Sequence, residues 1–357
     1  MKTRMRTIDR RDFLKYAGSI GGGIFIGGGI PLPRMAAAKT RFTVASTGGS
    51  WGEAVKKIFV EGSGFKKKLD VDVDYEFNID AVVVAKALAN KENPIFDVSS
   101  ASTGMATKMY VGGAVMPELD LDIVTNWPDI YPQARMGKHY AAYCLLSMLL
   151  VYNEKYVNRP ESYKDLWNPK YKGHVGFSNY KHVGSYWLHA INRFFGGSED
   201  DVTPGIEALA ELMKDQKAVP YDNTDHAMKL FQREELWIAP FWDGRARQLK
   251  TQGLPIEYVW TKDWLPFTIA FVVLKNTKVP KIAMEFVNAT LDPDVQVEWM
   301  KQFKYAPANR KCKIPKGYEN VAVPEETLEK AADLDWITMV NNVEKNMELW
   351  NKYVLGT

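Results

Sequence analysis

Four short segments collect the residues of this chain that could do chemistry: Gly48-Gly49-Ser50-Trp51, Ala101-Ser102-Thr103-Gly104, Ser178-Asn179-Tyr180-Lys181-His182 and Trp242-Asp243-Gly244-Arg245. Each offers backbone N–H groups, small hydroxyls or an aromatic plane just ahead of a helix-like run. Helix N-termini carry a partial positive charge, so several of them converging would favour an anionic or oxygen-rich ligand. The chemistry in view is binding. Arg245 can clamp a carboxylate or phosphonate through two parallel hydrogen bonds, and Lys181 can add a point charge. Asp243 can anchor an amine, which would make the ligand a zwitterion such as an amino acid or aminophosphonate. Trp51, Trp242 and Phe267 can stack on an apolar part, while Ser50, Ser102, Thr103 and Thr268 supply hydroxyls. Plainer readings stand beside these. Trp242 fits a core position, and Arg245 fits a solvated first-turn residue pairing with Asp243.

Signatures of catalysis are missing from the sequence. It contains no G-x-S-x-G elbow, P-loop, H-E-x-x-H or C-x-x-C-H. The histidines His139, His174, His182, His189 and His226 show no ligand spacing on one face. His182 and His189 fall in a segment read as interrupted by Gly184. Asp70, Asp72, Asp74 and Glu76 alternate along Val71–Phe77, the pattern of a strand's wet face rather than a metal cluster. Cys144 and Cys312 are too few for an iron–sulfur cluster, and Cys144 lies in an apolar run that suits a buried free thiol. No Tyr-Tyr pair suggests ferric-ion binding. No cofactor or metal is expected; an exported cofactor-dependent enzyme is the competing class.

The elements that must position these segments repeat one plan of apolar strand, polar loop and helix. Strands are expected at Arg41–Ala45, Val71–Phe77, Phe96–Ser99, His174–Phe177, Leu236–Phe241 and Leu265–Leu274. Helices are expected at Trp51–Phe59, Ala81–Ala89, Met105–Val111, Ser185–Phe195, Pro204–Lys214, Thr224–Arg233, Lys281–Leu291 and Val295–Phe303, with one or two more across Glu325–Leu355. Ala141–Val151 is nearly unbroken apolar or small, as in a strand buried on both faces. Ser162 and Asp165 bracket the start of a short helix as a capping box, and Asn168-Pro169 ends it. In open α/β sheets a ligand sits beyond the carboxyl ends of the strands, where loops feed helices.

The first residues set the compartment. Arg10-Arg11-Asp12-Phe13-Leu14-Lys15 has the form of a twin-arginine export signal, followed by the glycine-diluted apolar run Ala17–Ile30 and an A-x-A site at Ala36-Ala37-Ala38. A membrane span needs about 20 largely apolar residues, so a cleaved signal over residues 1–38 is expected, releasing a periplasmic protein. That segment holds seven basic and two acidic residues, a charge of +5; the whole chain is +3, so the mature part is +3 − 5 = −2. The basic balance belongs to the leader, and no nucleic-acid partner is implied. About 320 residues remain, too many for one ordinary core, and two lobes are expected.

Asp165-Leu166-Trp167, Pro169 and Tyr171-Lys172-Gly173, preceded by Tyr152-Asn153, form a phrase that resembles the second lobe of bacterial solute-binding proteins of ABC importers, the spermidine/putrescine-binding type above all. The resemblance implies an α/β fold of type II. Two lobes, each a mixed sheet flanked by helices, are joined by crossing hinge strands and close around a solute. Residues 39–145 with 266–308 would form lobe 1, and 146–265 with 309–357 lobe 2 and the terminal helices. It implies no enzymatic activity, a monomer, and a membrane permease with its ATPase as partners. It implies ligand contacts at Trp51, Ser102, Thr103, Trp242 and Tyr305, the last within Tyr305-Ala306-Pro307-Ala308-Asn309.

The charged contacts of polyamine binders find no match. Their second-lobe loop carries carboxylates where this chain reads Ser178-Asn179-Tyr180-Lys181-His182, and their returning Trp-x-Asp corresponds to Leu265-Pro266-Phe267. Taking a dication into a cleft without paired carboxylates costs several kcal/mol. With Gly49, Ser50, Asn179, Tyr180, His182, Asp243, Arg245 and Thr268 completing the pocket, a small organic anion or zwitterion is the expected solute, and a polyamine the alternative.

Overall fold

A computed structural model describes residues 39–356; the export signal read at 1–38 lies outside the described residues. From the N-terminus, β1 (Thr40–Ser46) leads to α1 (Gly49–Ala54), which runs on as a π-helix over Val55–Gly62. Next come α2 (Phe65–Leu69), β2 (Val71–Phe77), α3 (Asp80–Ala89), β3 (Val98–Ser102) and α4 (Thr103–Val111). β1 pairs in parallel with both β2 and β3. After β4 (Arg135–Met136) the chain enters β5 (Tyr140–Asn153), whose fourteen residues are all buried. The apolar run thus extends further at both ends than composition suggested.

β5 joins the two halves of the molecule. Its first part pairs with β10 (Leu265–Val273), from Met148 opposite Leu265 to Ala142 opposite Ala270, and with β11 (Ala306–Pro307). Its second part, from Met148 to Asn153, pairs with β8 (Ile238–Trp242) and β9 (Ile256–Val259). β10 in turn pairs antiparallel with β3. In the second half β6 (Gly176–Ser178) lies parallel to β7 (Val219–Tyr221) as a separate two-stranded sheet, which an isolated bridge from Val175 to Ile238 sets beside β8. Around them lie α5 (Ser185–Phe194), α6 (Thr203–Gln216), α7 (Thr224–Gln232) and α8 (Asp243–Thr251). α9 (Pro280–Thr290) and α10 (Pro293–Phe303) return to the first half, and α11 (Glu325–Leu328), α12 (Trp336–Asn341) and α13 (Val343–Trp350) finish the chain.

Local sequence explains most of these elements. Ser162 accepts from the Lys164 N–H while Asp165 accepts from the Ser162 N–H at 3.0 Å, and the capped turn is a 3-10 helix. Along β2, Asp72 and Asp74 are exposed, and Asp74 pairs with Arg41 at 3.5 Å, as befits a wet face. Both cysteines are free thiols, Cys144 buried within β5. Several expectations need correcting. Strand β3 begins at Val98 and takes in Ser100–Ser102, read as loop, because small side chains suit a central strand and the Ser100 hydroxyl meets that of Tyr143 at 3.0 Å. Gly184 does not interrupt the helix it was thought to break. A π-turn over Tyr180–Gly184 flows into α5, and a Cβ at Gly184 would lie 2.4 Å from the Ser178 carbonyl oxygen, so glycine permits a close backbone approach. Strands β7 and β9 escaped the sequence reading; Pro220 in β7 is tolerated at a sheet edge.

Candidate functional site

Each of the four segments singled out above sits where a strand feeds a helix N-terminus. β1 leads through Thr47-Gly48 into α1, with Gly49 at φ +65°, a left-handed backbone that glycine adopts freely. Ser102 stands just before the first turn of α4 and Trp242 just before that of α8, neither side chain capping its helix, and Asn179 precedes the π-turn into α5. Two further junctions of the same kind went unread: β2 into α3 at Asp80, and β7 into α7, where Asn223 accepts from the His226 N–H at 2.9 Å. The D-N-T capping phrase at 222–224 was the available signal for the second.

Aromatic side chains gather between these junctions. Trp51 is half-buried against Trp299 and Phe303, both at 4.7 Å, with Tyr305 at 6.3 Å. Trp242 packs edge-on to Phe267 at 5.2 Å, and Phe267 lies 5.6 Å from Tyr186. Tyr186 of α5 also presses on the start of α4: a Cβ on Gly104 would come within 2.4 Å of its hydroxyl. Gly244 similarly faces Tyr305, 3.0 Å from where its Cβ would stand. At both glycines a side chain from one half of the molecule touches the backbone of the other. Burial pushes the Tyr186 phenol up to about 12, with Asp80 adding to the effect. Burial also takes Tyr305 to about 12 against the opposing pull of Arg245.

Several expected ligand groups are committed elsewhere. Asp243 has no exposed surface: its carboxylate accepts from Arg247 Nη1 at 2.8 Å and from the Ser147 N–H at 3.2 Å. The pairing of Asp243 with Arg245 is thus corrected. Arg247, one helical turn on, takes that role, while half-buried Arg245 donates to Gln248 at 2.9 Å. Tyr180 is buried, its hydroxyl donating to the Val343 carbonyl at 2.8 Å and its ring 5.5 Å from Trp350, so it anchors the C-terminal helix. Thr103 and Thr268 share a hydrogen bond of 2.8 Å, and Tyr140 joins Thr268 at 2.8 Å. Trp242 is only 7% exposed, close to the core reading.

Other groups stay available. Gly49, Ser50 and Lys181 are exposed. His182 is half-buried, its Nδ1 3.2 Å from the Ser178 hydroxyl, and desolvation holds it below the ordinary imidazole range despite nearby Asp222. Asp80 accepts from Thr47 at 2.5 Å and Asp222 accepts from Asn179 at 3.1 Å; both are exposed, and sequence reading passed over both. Among the described residues no cluster of His, Cys, Asp or Glu could hold a metal ion, and no helix is long and apolar enough to cross a membrane.

Known proteins share this arrangement. The sequence profile described as "Bacterial extracellular solute-binding protein" matches residues 63–325. The Spermidine/putrescine-binding periplasmic protein of Escherichia coli (strain K12) is 23% identical over 272 residues, 73% of this chain and 76% of that protein. A crystal structure of an ABC transporter protein from Clostridium perfringens superposes with a TM-score of 0.79 at 18% identity, over 88% of this chain and 99% of that one. A structure described as a GABA receptor gives 0.73 at 18% identity, over 88% and 98%. These likenesses place the molecule in the type II, two-lobed periplasmic binding fold. The profile spans well over half of the sequence, and the chain belongs to the family of bacterial extracellular solute-binding proteins, which are binding proteins rather than enzymes.

Proposed function

We propose that this protein captures a small organic zwitterion or anion between its lobes in the periplasm and hands it to a membrane permease driven by an ATPase. The carrying observation is the division of charge among the cleft loops. Asp243 is spent on Arg247, whereas Arg245 stays half-exposed beside Tyr305 with only a neutral Gln248 partner. A ligand carboxylate can pair with Arg245, and Lys181 adds long-range attraction. An ammonium group can turn toward Asp80 or Asp222 at the rims, and the Trp51–Tyr305 and Trp242–Phe267 pairs offer apolar walls. The neighbour named a GABA receptor carries the name of such a zwitterion, which supports the reading.

We take lobe 1 as 39–145 with 266–308 and lobe 2 as 146–265 with 309–357. We take the contacts of Tyr186 on Gly104 and of Gly244 on Tyr305 as those of the closed cleft. Export by the twin-arginine leader, cleavage near Ala38 and action as a monomer complete the proposal. The second reading is a polyamine, favoured by the exposed carboxylates Asp80 and Asp222, contributed by different lobes, and by the name of the Escherichia coli relative. A thermal-shift panel of amino acids, carboxylates, phosphonates, polyamines and sugars separates the two. Ligand at a hundred times its Kd adds about 2.7 kcal/mol, a visible shift. A shift with amino acids or carboxylates and none with spermidine or putrescine is expected; the reverse would replace the reading with the polyamine one.

A further inference from the structure

Beside the cleft, where α8 runs past the end of α10, the structure holds a cavity of 650 Å³. This lies within the range of about 300–1,000 Å³ typical of small-molecule sites. Its charged walls are Arg245, Arg247 and Lys304, and among the described residues no carboxylate side chain lines it. Gln248, Gln302 and Asn320 bring amide groups, and Tyr305 and Tyr318 bring aromatic surface. Gly244, Arg245, Phe303 and Tyr305 are shared with the cleft described above, and the remaining lining residues are not.

Arg247 makes this more than a basic surface. Its side chain is 7% exposed, with Nη1 on Asp243 and Nε donating to the Asn320 carbonyl at 2.7 Å, yet Nη2 has no hydrogen-bond partner. That nitrogen is sealed from solvent and the guanidinium lies 5.4 Å from the centre of the Tyr258 ring, so Arg247 fixes the cavity wall and leaves Arg245 and Lys304 as the cations a ligand can reach. Asp243 offsets one of the three positive charges. The remaining two meet only neutral groups: Arg245 holds Gln248, and Lys304 donates to the Lys301 carbonyl at 2.9 Å while its ammonium lies 4.1 Å from the centre of the Tyr318 ring. Two uncompensated cations match a dianion. The amide and aromatic walls, and a volume suited to more than a bare ion, match an organic body.

We propose that this cavity is a second binding site, for a small organic dianion such as a dicarboxylate or phosphate monoester. It shares Arg245 and Tyr305 with the cleft, so a cleft solute would compete for that arginine, and it is otherwise built from Lys304, Gln302, Gln248 and Asn320. The test is calorimetric titration of the purified protein with phenyl phosphate, phthalate and succinate. At least one is expected to bind with a Kd of about 1 mM or tighter. Lys304→Glu and Gln302→Glu, both at exposed positions, each place a negative charge in the cavity and are expected to weaken that binding at least about tenfold. Lys181→Ala, on a cleft loop and not among the residues lining the cavity, is expected to leave it within about twofold, with melting curves confirming that each variant is folded. No binding by any of the three dianions to the folded wild-type protein would overturn the proposal. So would loss of binding in Lys181→Ala, which would place the dianion in the cleft, or unchanged binding in both charge variants.

Discussion

Replacing Asp243 by Asn asks whether this carboxylate holds the protein or the solute. It is fully buried, 2.8 Å from an Arg247 guanidinium that is itself 7% exposed. Asn keeps the shape and can still accept from the Ser147 N–H, but it leaves the arginine charge buried without its partner. Breaking a buried pair from one side costs about 3–5 kcal/mol. For a domain of this size, at about 2 °C per kcal/mol, the melting temperature should fall by about 6 to 10 °C. Removing both charges in Asp243→Asn/Arg247→Met should recover most of that loss, since a pair replaced by neutral groups of similar volume is often close to neutral. The assay is thermal denaturation of the wild type, both single variants and the double variant as a mutant cycle. A single-variant shift below about 2 °C would refute the argument. It would return Asp243 to the list of ligand anchors, particularly if solute affinity fell at the same time.

Three further outcomes follow from the same geometry. Gly184→Ala places a methyl 2.4 Å from the Ser178 carbonyl, a backbone atom that cannot step aside as a side chain can; a loss of about 2 kcal/mol or more is expected in urea unfolding, with the 178–182 loop displaced. Gly104→Ala meets the Tyr186 ring instead, and should weaken solute binding about tenfold or more, an effect that Tyr186→Ala in the same chain should partly reverse in calorimetry. Burial lowers His139 and His189 to about 4, so between pH 6.5 and 4 the unfolded chain binds protons the folded one does not. Their stabilisation is complete above pH 6.5 and is lost as pH falls toward 4, about 1–3 kcal/mol for each; melts from pH 7 to 4.5 should show the decline, and it should flatten in His139→Gln and His189→Gln.

Much of the frame was legible because it rests on local pattern. The run from Tyr140 to Asn153 announces a strand buried on both faces, and the capping box at Ser162 and Asp165 reads directly as a helix start. The four strand-to-helix junctions were found because glycines, hydroxyls and aromatics cluster there. Which side chains stay free at those junctions depends on long-range packing. Asp243 and Arg245 stand two apart at the start of α8, but it is Arg247, one turn along, that lies over the carboxylate; i,i+4 geometry favours the second partner. Tyr180 looked like a cleft residue until the C-terminal segment, 163 positions away, supplied the Val343 carbonyl. Asp80 and Asp222 went unnoticed because each follows a strand whose loop has no glycine or aromatic to draw attention to it. Small residues misled in the opposite direction. Ser100–Ser102 has the composition of a loop, yet it forms strand because β10 lies alongside and the Ser100 hydroxyl finds Tyr143.

Arg245 is where the account of the solute is most exposed. Calorimetric titration of the purified protein with γ-aminobutyrate, glutamate and spermidine, repeated on Arg245→Ala, addresses it directly. Binding of an amino acid or carboxylate, weakened at least about tenfold by the substitution with the melting temperature little changed, is the expected result. Tight binding of spermidine that Arg245→Ala leaves unchanged would contradict it, and would assign the cleft to cations held by Asp80 and Asp222.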